Sequence, residues 1–150
     1  MKPQLTSSSS GRWPADLAEE KAALGACLLG QSVETARMLN LDDFSNVPHR
    51  EIFSAILALV GRGELSIEVG LLAAELRSRG MLEKADGIPY LTDLDCGVVP
   101  ERPMESRIRI LRGFAHRRRL LLIAEEIDRR ALDLTKPASQ TMSWLKEVTR

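Results

Sequence analysis

Apolar residues recur at intervals of three and four along most of the chain, and strict alternation never lasts beyond a few residues. That period belongs to amphipathic helices rather than strands. From Leu17 to about Leu29, Leu17, Leu24, Cys27 and Leu28 share one stripe; Asp16 stands three residues before Glu19, as a capping residue would, and Gly30 is the expected stop. A short helix over about Val33–Leu39 follows. Asn46 or Ser45 can cap the next, with Pro48 in its first turn, where a missing amide hydrogen costs nothing. Its wide apolar face is Ile52, Phe53, Ile56, Leu57, Leu59 and Val60, ended by Gly61 and Gly63. The period returns from Val69 to Arg79 with Leu72, Ala73 and Leu76, before Gly80. Gly87-Ile88-Pro89-Tyr90-Leu91 opens another short helix that ends near Cys96-Gly97, and Pro100 and Pro103 break the chain. The expected fold class is all-α.

Beyond Pro103 the pattern predicts two further helices, to about Phe114 and from Ala115 to about Leu132, paired as a hairpin. On the second, Leu120, Ile123, Ile127, Ala131 and Leu134 form a core stripe. Leu120-Leu121-Leu122-Ile123 also sets apolar groups at steps of about 100°, all the way round the helix. One hairpin partner covers one side only, so the other side asks for a further surface. After Asp133, Lys136-Pro137-Ala138 reads as a linker, and Ser139 as the cap of a short segment carrying Met142, Leu145 and Val148. The expected organisation is a disordered Ser-rich tail (1–13), a globular helical head (14–100), a protruding helical hairpin (101–134), and a linker with a short C-terminal helix (135–150).

Charge changes this picture locally rather than globally. The formal net charge is zero, so no overall pull toward nucleic acid or membrane follows. Between Arg102 and Arg119, however, arginines face the single acid Glu105; such a run is usually a solvated helix face. No apolar run reaches the roughly 18 residues of a membrane span. The polar N-terminus has no secretory apolar core, and the cytoplasm is the default compartment. Cys27 and Cys96 have no companion ligand spacing and read as buried small hydrophobes. A glycine-rich phosphate loop, a nucleophile elbow, an HExxH pair and a CxxC pair are all missing. His49 reads as a structural hydrogen-bonding residue and His116 as exposed; Glu19-Glu20 and Glu125-Glu126 read as solvated helix surface. The chain reads as a non-enzyme.

The order of residues carries a resemblance. Leu17-Ala18-Glu19-Glu20-Lys21-Ala22-Ala23-Leu24-Gly25-Ala26-Cys27-Leu28-Leu29 resembles the first helix of the N-terminal domain of DnaB-type replicative DNA helicases. Asp43-Phe44, followed by His49-Arg50 and Ile52-Phe53, is similar to that family's DF, four residues, HR-x-IF signature. Ile67-Glu68 with Leu72, Leu76 and Gly80, then Gly87 to Leu91, resemble the next helix and the Gly-Gly-x-x-Tyr-Leu turn. Ile110-Leu111-Arg112, Arg118-Arg119, Leu121 and Ala124–Ala131 resemble the hairpin helices. Asp86 stands where the family usually has the first Gly of its pair, and Arg107 where it commonly has Tyr. Phe44, His49, Arg50, Ile52, Phe53, Gly87 and Tyr90 are the structural motif residues.

The resemblance implies a helical head with a hairpin that pairs between subunits, as a dimer and then a trimer of dimers. It also implies a collar that docks the C-terminal domain of primase. Within it, Ile108, Leu111, Leu121 and Leu122 are the expected pairing residues, and Arg112, Arg118 and Arg119 the expected primase contacts. No cofactor is expected here; ATP and Mg belong to the motor of the parent helicase, and DNA is met only through that parent. The alternative is a helical nucleic-acid-binding module using the Arg102–Arg119 segment on phosphates.

Overall fold

The computed structural model describes residues 13–28, 32–96 and 102–150. All of the expected Ser-rich tail but Trp13, and the stops at Gly30 and Gly97 to Pro100, lie outside them. Among the described residues every regular element is helical: α1 (Leu17–Leu28), α2 (Ser32–Met38), a 3-10 turn (Leu41–Asp43), α3 (Val47–Gly61), α4 (Val69–Ser78), α5 (Gly87–Asp95), α6 (Met104–Ala131) and α7 (Ala138–Val148). The chain divides into two compact units, one ending at Ala115 and one running from His116 to Arg150.

In the first unit the apolar stripes converge on one core. Leu24, Phe44, Ile52, Phe53, Ile56, Ile67, Leu72, Leu76 and Leu91 are buried, with Ile108 and Leu111 from the start of α6. Phe44 and Phe53 meet at 4.8 Å between ring centroids, tilted by 36°, a favourable aromatic geometry. Local chemistry sets the helix ends. Asp16 Oδ1 accepts the Glu19 amide at 3.1 Å, and Asn46 Oδ1 accepts the His49 amide at 3.3 Å, which satisfies donors that open helix ends leave unpaired. At the turn before α5, Asp86 holds φ 63° and Gly87 φ 72°. Asp is among the few non-glycine residues that tolerate this left-handed geometry.

The second unit corrects the expected hairpin. α6 runs unbroken from Met104 to Ala131, so no turn falls at Phe114–Ala115. The lone Gly113 there costs about 1 kcal/mol in a helix interior, too little to stop one flanked by good helix formers. The reversal comes instead between residues 132 and 137. Asp133 Oδ1 accepts the Thr135 amide at 3.1 Å, and Pro137, not Ser139, stands at the N-cap of α7. The hairpin is therefore the C-terminal part of α6 with α7. The guanidinium of Arg130 lies over the Trp144 ring, 4.4 Å from its centroid.

Candidate interaction surface

The head is organised around a carboxylate that the sequence reading placed at the surface. Glu20 on α1 is fully buried. Its oxygens accept from the Ser45 amide at 2.8 Å and hydroxyl at 2.5 Å, and His49 Nδ1 lies 2.7 Å away. Burial pushes the carboxyl up, but the bonds from His49 and Ser45 outweigh it and leave the group below its ordinary range. A carboxylate only accepts, so Nδ1 carries the proton toward it. His49 Nε2 then meets the Tyr90 hydroxyl at 2.7 Å. The expected motif residues His49 and Tyr90 are thus joined, and the chain of bonds links α1, α3 and α5. Glu20, its centre, was missed because periodicity alone cannot tell a buried acid from a solvated one.

The root of α6 is tied to the same unit. Arg107 is buried and donates to Glu19 at 2.5 Å, with Arg102 on the other Glu19 oxygen at 3.2 Å. Arg112 reaches Asp43 Oδ2 and the Met38 carbonyl, each at 3.2 Å. Two expected assignments change here. Ile108 and Leu111, read as pairing residues, lie in the core of their own chain, 7% and 1% exposed. Arg112 and Arg118, read as primase contacts, are respectively ion-paired within the head and buried. For Ile108, Leu111 and Arg112 the cause is shared: the start of α6 is a core helix of the head, not an arm of the hairpin. The ion pairs engage Arg102, Arg107 and Arg112 of the Arg102–Arg119 run, whereas Arg109, Arg117 and Arg119 are exposed. Cys27 is buried, its thiol pushed up to about 12 by desolvation. Cys96, expected to be buried, is exposed.

The hairpin unit has the opposite character. From His116 to Arg150 no apolar side chain is buried. Leu120, Leu121, Leu122, Leu132, Leu134 and Met142 are all exposed. Within this unit the half-buried positions of α6, Ile123, Glu126, Ile127 and Arg130, share one sector, the side on which Trp144 sits. Arg129 and Arg130 both bond Glu126 and hold its carboxyl down at about 2. Arg119 is exposed. Among the described residues no cluster of His, Cys, Asp and Glu is placed to hold a metal ion, and no helix is long and apolar enough to cross a membrane.

Both units are helical, the first closed around an apolar core and the second without a buried apolar side chain. The model of the DnaB-like helicase N-terminal domain matches residues 12–113, and the chain belongs to that family. It is 34% identical to the replicative DNA helicase DnaC of Bacillus subtilis over 116 residues, 76% of this chain and 25% of that protein. Against the replicative DNA helicase DnaB of Mycobacterium leprae it is 41% identical over 83 residues, 54% of this chain and 14% of that protein. The chain thus spans a quarter or less of these two relatives. The crystal structure of the N-terminal domain of DnaB helicase from Mycobacterium tuberculosis superposes with a TM-score of 0.77 at 28% identity, covering 91% of this chain and 99% of that one. A DnaB-like replicative helicase, described with its interactions with primase, shares the fold with a TM-score of 0.72 at 24% identity, over 89% of this chain and 31% of that one.

Proposed function

We propose that this domain assembles the subunits of a replicative DNA helicase into a collar by pairing their hairpins, and that the collar docks the C-terminal domain of primase. The observation that carries the reading is the contrast between the two units: a closed core in the head, and no buried apolar side chain from His116 onward. Moving a Leu or Met from full exposure to full burial contributes roughly 1.5–3 kcal/mol. Association costs roughly 4–15 kcal/mol, so several of the exposed residues must be covered together. A second hairpin does this. The work is thermodynamic rather than chemical, and ATP hydrolysis with Mg is assigned to the motor of the parent helicase.

Within this reading Leu121 and Leu122 remain pairing candidates, and Arg119 is the exposed survivor of the three arginines expected at primase. The test is the chain carrying Leu120→Asp, Leu121→Asp and Leu122→Asp. Light scattering is expected to show a fall to monomer mass, with the helical circular dichroism kept. Unchanged mass overturns the pairing. Arg119→Glu is expected to weaken binding to primase, and unaltered affinity removes that residue from the dock.

A further inference from the structure

We infer that the first turns of α6, Met104–Arg112, form a strap that lifts from the head as one piece while the rest of the head stays folded. The strap ends at Gly113. The inference is independent of the pairing proposed above.

The strap adds little to a core that closes without it. Of the described core residues only Ile108 and Leu111 come from α6; all the others run from Ala23 to Leu94. Those others have their own fastenings. Glu20, His49 and Tyr90 join α1, α3 and α5, and Gly25 lets α1 press on the Leu94 carbonyl of α5. A segment that brings few apolar contacts to a self-sufficient body is drawn from the low end of local stability.

What else fastens the strap is polar and unevenly matched. Arg102 and Arg107 share the two oxygens of one carboxylate, Glu19, so a single anion holds two cations. Arg107 is buried. Among the described residues its Nε is the one buried side-chain nitrogen or oxygen without a hydrogen-bond partner. Burying a charged donor unpaired opposes folding, and lifting the strap returns that donor to water. Further along, Arg112 reaches Asp43 and the Met38 carbonyl from a side chain that is partly exposed, where an ion pair contributes little. Two apolar side chains therefore seat the strap against a buried charge that resists seating.

The last tie is also where the helix is weakest. Gly113 follows Arg112 directly, is exposed, and has nothing within 4 Å of an added Cβ. No neighbouring element packs against it, and glycine is the residue at which a helix bends or parts most readily. Off the head, so short a helix beyond a glycine frays in water, and its amides open to exchange. The second unit begins soon after, at His116 on the same helix. The strap thus sets how firmly the lead into that unit is held, and its lifting frees the Glu19 and Asp43 carboxylates together with three arginines.

Native-state hydrogen exchange of the full chain, read by mass spectrometry at rising sub-denaturing urea, tests the strap. Amides of residues 107–112 are compared with those of residues 52–59, at the buried centre of α3. In the parent chain the strap is expected to exchange at least about tenfold faster than α3, in one step and with a weaker urea dependence, because less surface opens. Glu19→Gln removes the shared carboxylate and is expected to speed the strap at least about fivefold. Ile56→Val weakens the core elsewhere and is expected to speed α3 about two- to tenfold, leaving the strap at the parent's rate. Strap amides that exchange only in step with α3 in the parent chain, or that quicken with Ile56→Val, overturn the inference. So does a Glu19→Gln strap that exchanges no faster than the parent's.

Discussion

His49 Nδ1 lies 2.7 Å from Glu20 Oε2, with both side chains buried. This contact joins α3 to α1, and the opposite ring nitrogen joins Tyr90 on α5. The HR-x-IF block thereby does more than supply Ile52 and Phe53 to the core. Its histidine fixes how three helices meet.

The Glu20 carboxyl sits below its ordinary value of 4.5, while the unfolded chain has no such network. The unfolded state therefore binds more protons in acid. Stability from this group is fully present above about pH 4.5 and is lost as pH falls through the lower folded value. Glu20→Gln is expected to destabilise the domain by about 2–4 kcal/mol, because an amide offers donors where Ser45 and His49 already donate. It is also expected to flatten the acid limb of the stability curve. Urea unfolding between pH 3 and 7 (roughly the carboxylate range) measures both. A Gln variant with the same acid dependence as the parent would place the titrating group elsewhere.

Two glycines make opposite predictions. A Cβ on Gly25 would sit 2.9 Å from the Leu94 carbonyl oxygen, a backbone atom with no freedom to swing away, where α1 meets α5. Gly25→Ala therefore sets an overpacking cost of roughly 1–3 kcal/mol against a helix-propensity gain of about 1 kcal/mol, and a lower urea midpoint is expected. Gly113 is exposed, with nothing within 4 Å of its added Cβ. Gly113→Ala keeps the whole gain and raises the midpoint. If both move it the same way, the close crossing of α1 and α5 is not what Gly25 serves.

Much of this architecture was legible in residue order. The periods of Ile52 to Val60 and of Leu72 to Leu76 placed α3 and α4, and Asp16 and Asn46 marked helix starts, because capping is a local effect that needs no tertiary knowledge. Three matters were not local. Glu20 reads like Glu19 on any helical wheel, and only the approach of Ser45, just before α3, and of His49 on α3 marks it as buried. The length of α6 was hidden because nothing near Phe114 compels or forbids a turn. The surface turned on that same helix: the all-round leucines asked for a further surface, but could not say that Ile108 and Leu111 are buried in their own chain while Leu120 to Leu122 are exposed.

That distinction gives the last prediction. Leu111 is 1% exposed and belongs to the head core; Leu121 is 46% exposed in the other unit. Leu111→Ala removes buried methyl groups from a packed interior and is expected to cost about 2–5 kcal/mol at any protein concentration. Leu121→Ala on an isolated chain removes atoms that water already touches, so dilute samples are expected to change by no more than about 0.5 kcal/mol. If Leu121 flanks the paired hairpins, its cost emerges only as concentration rises and assembly contributes to stability. Unfolding the two variants across a wide concentration range separates the cases. A Leu121→Ala loss that is large and independent of concentration would mean the hairpin completes its own core within one chain, and the need for a second copy would disappear with it.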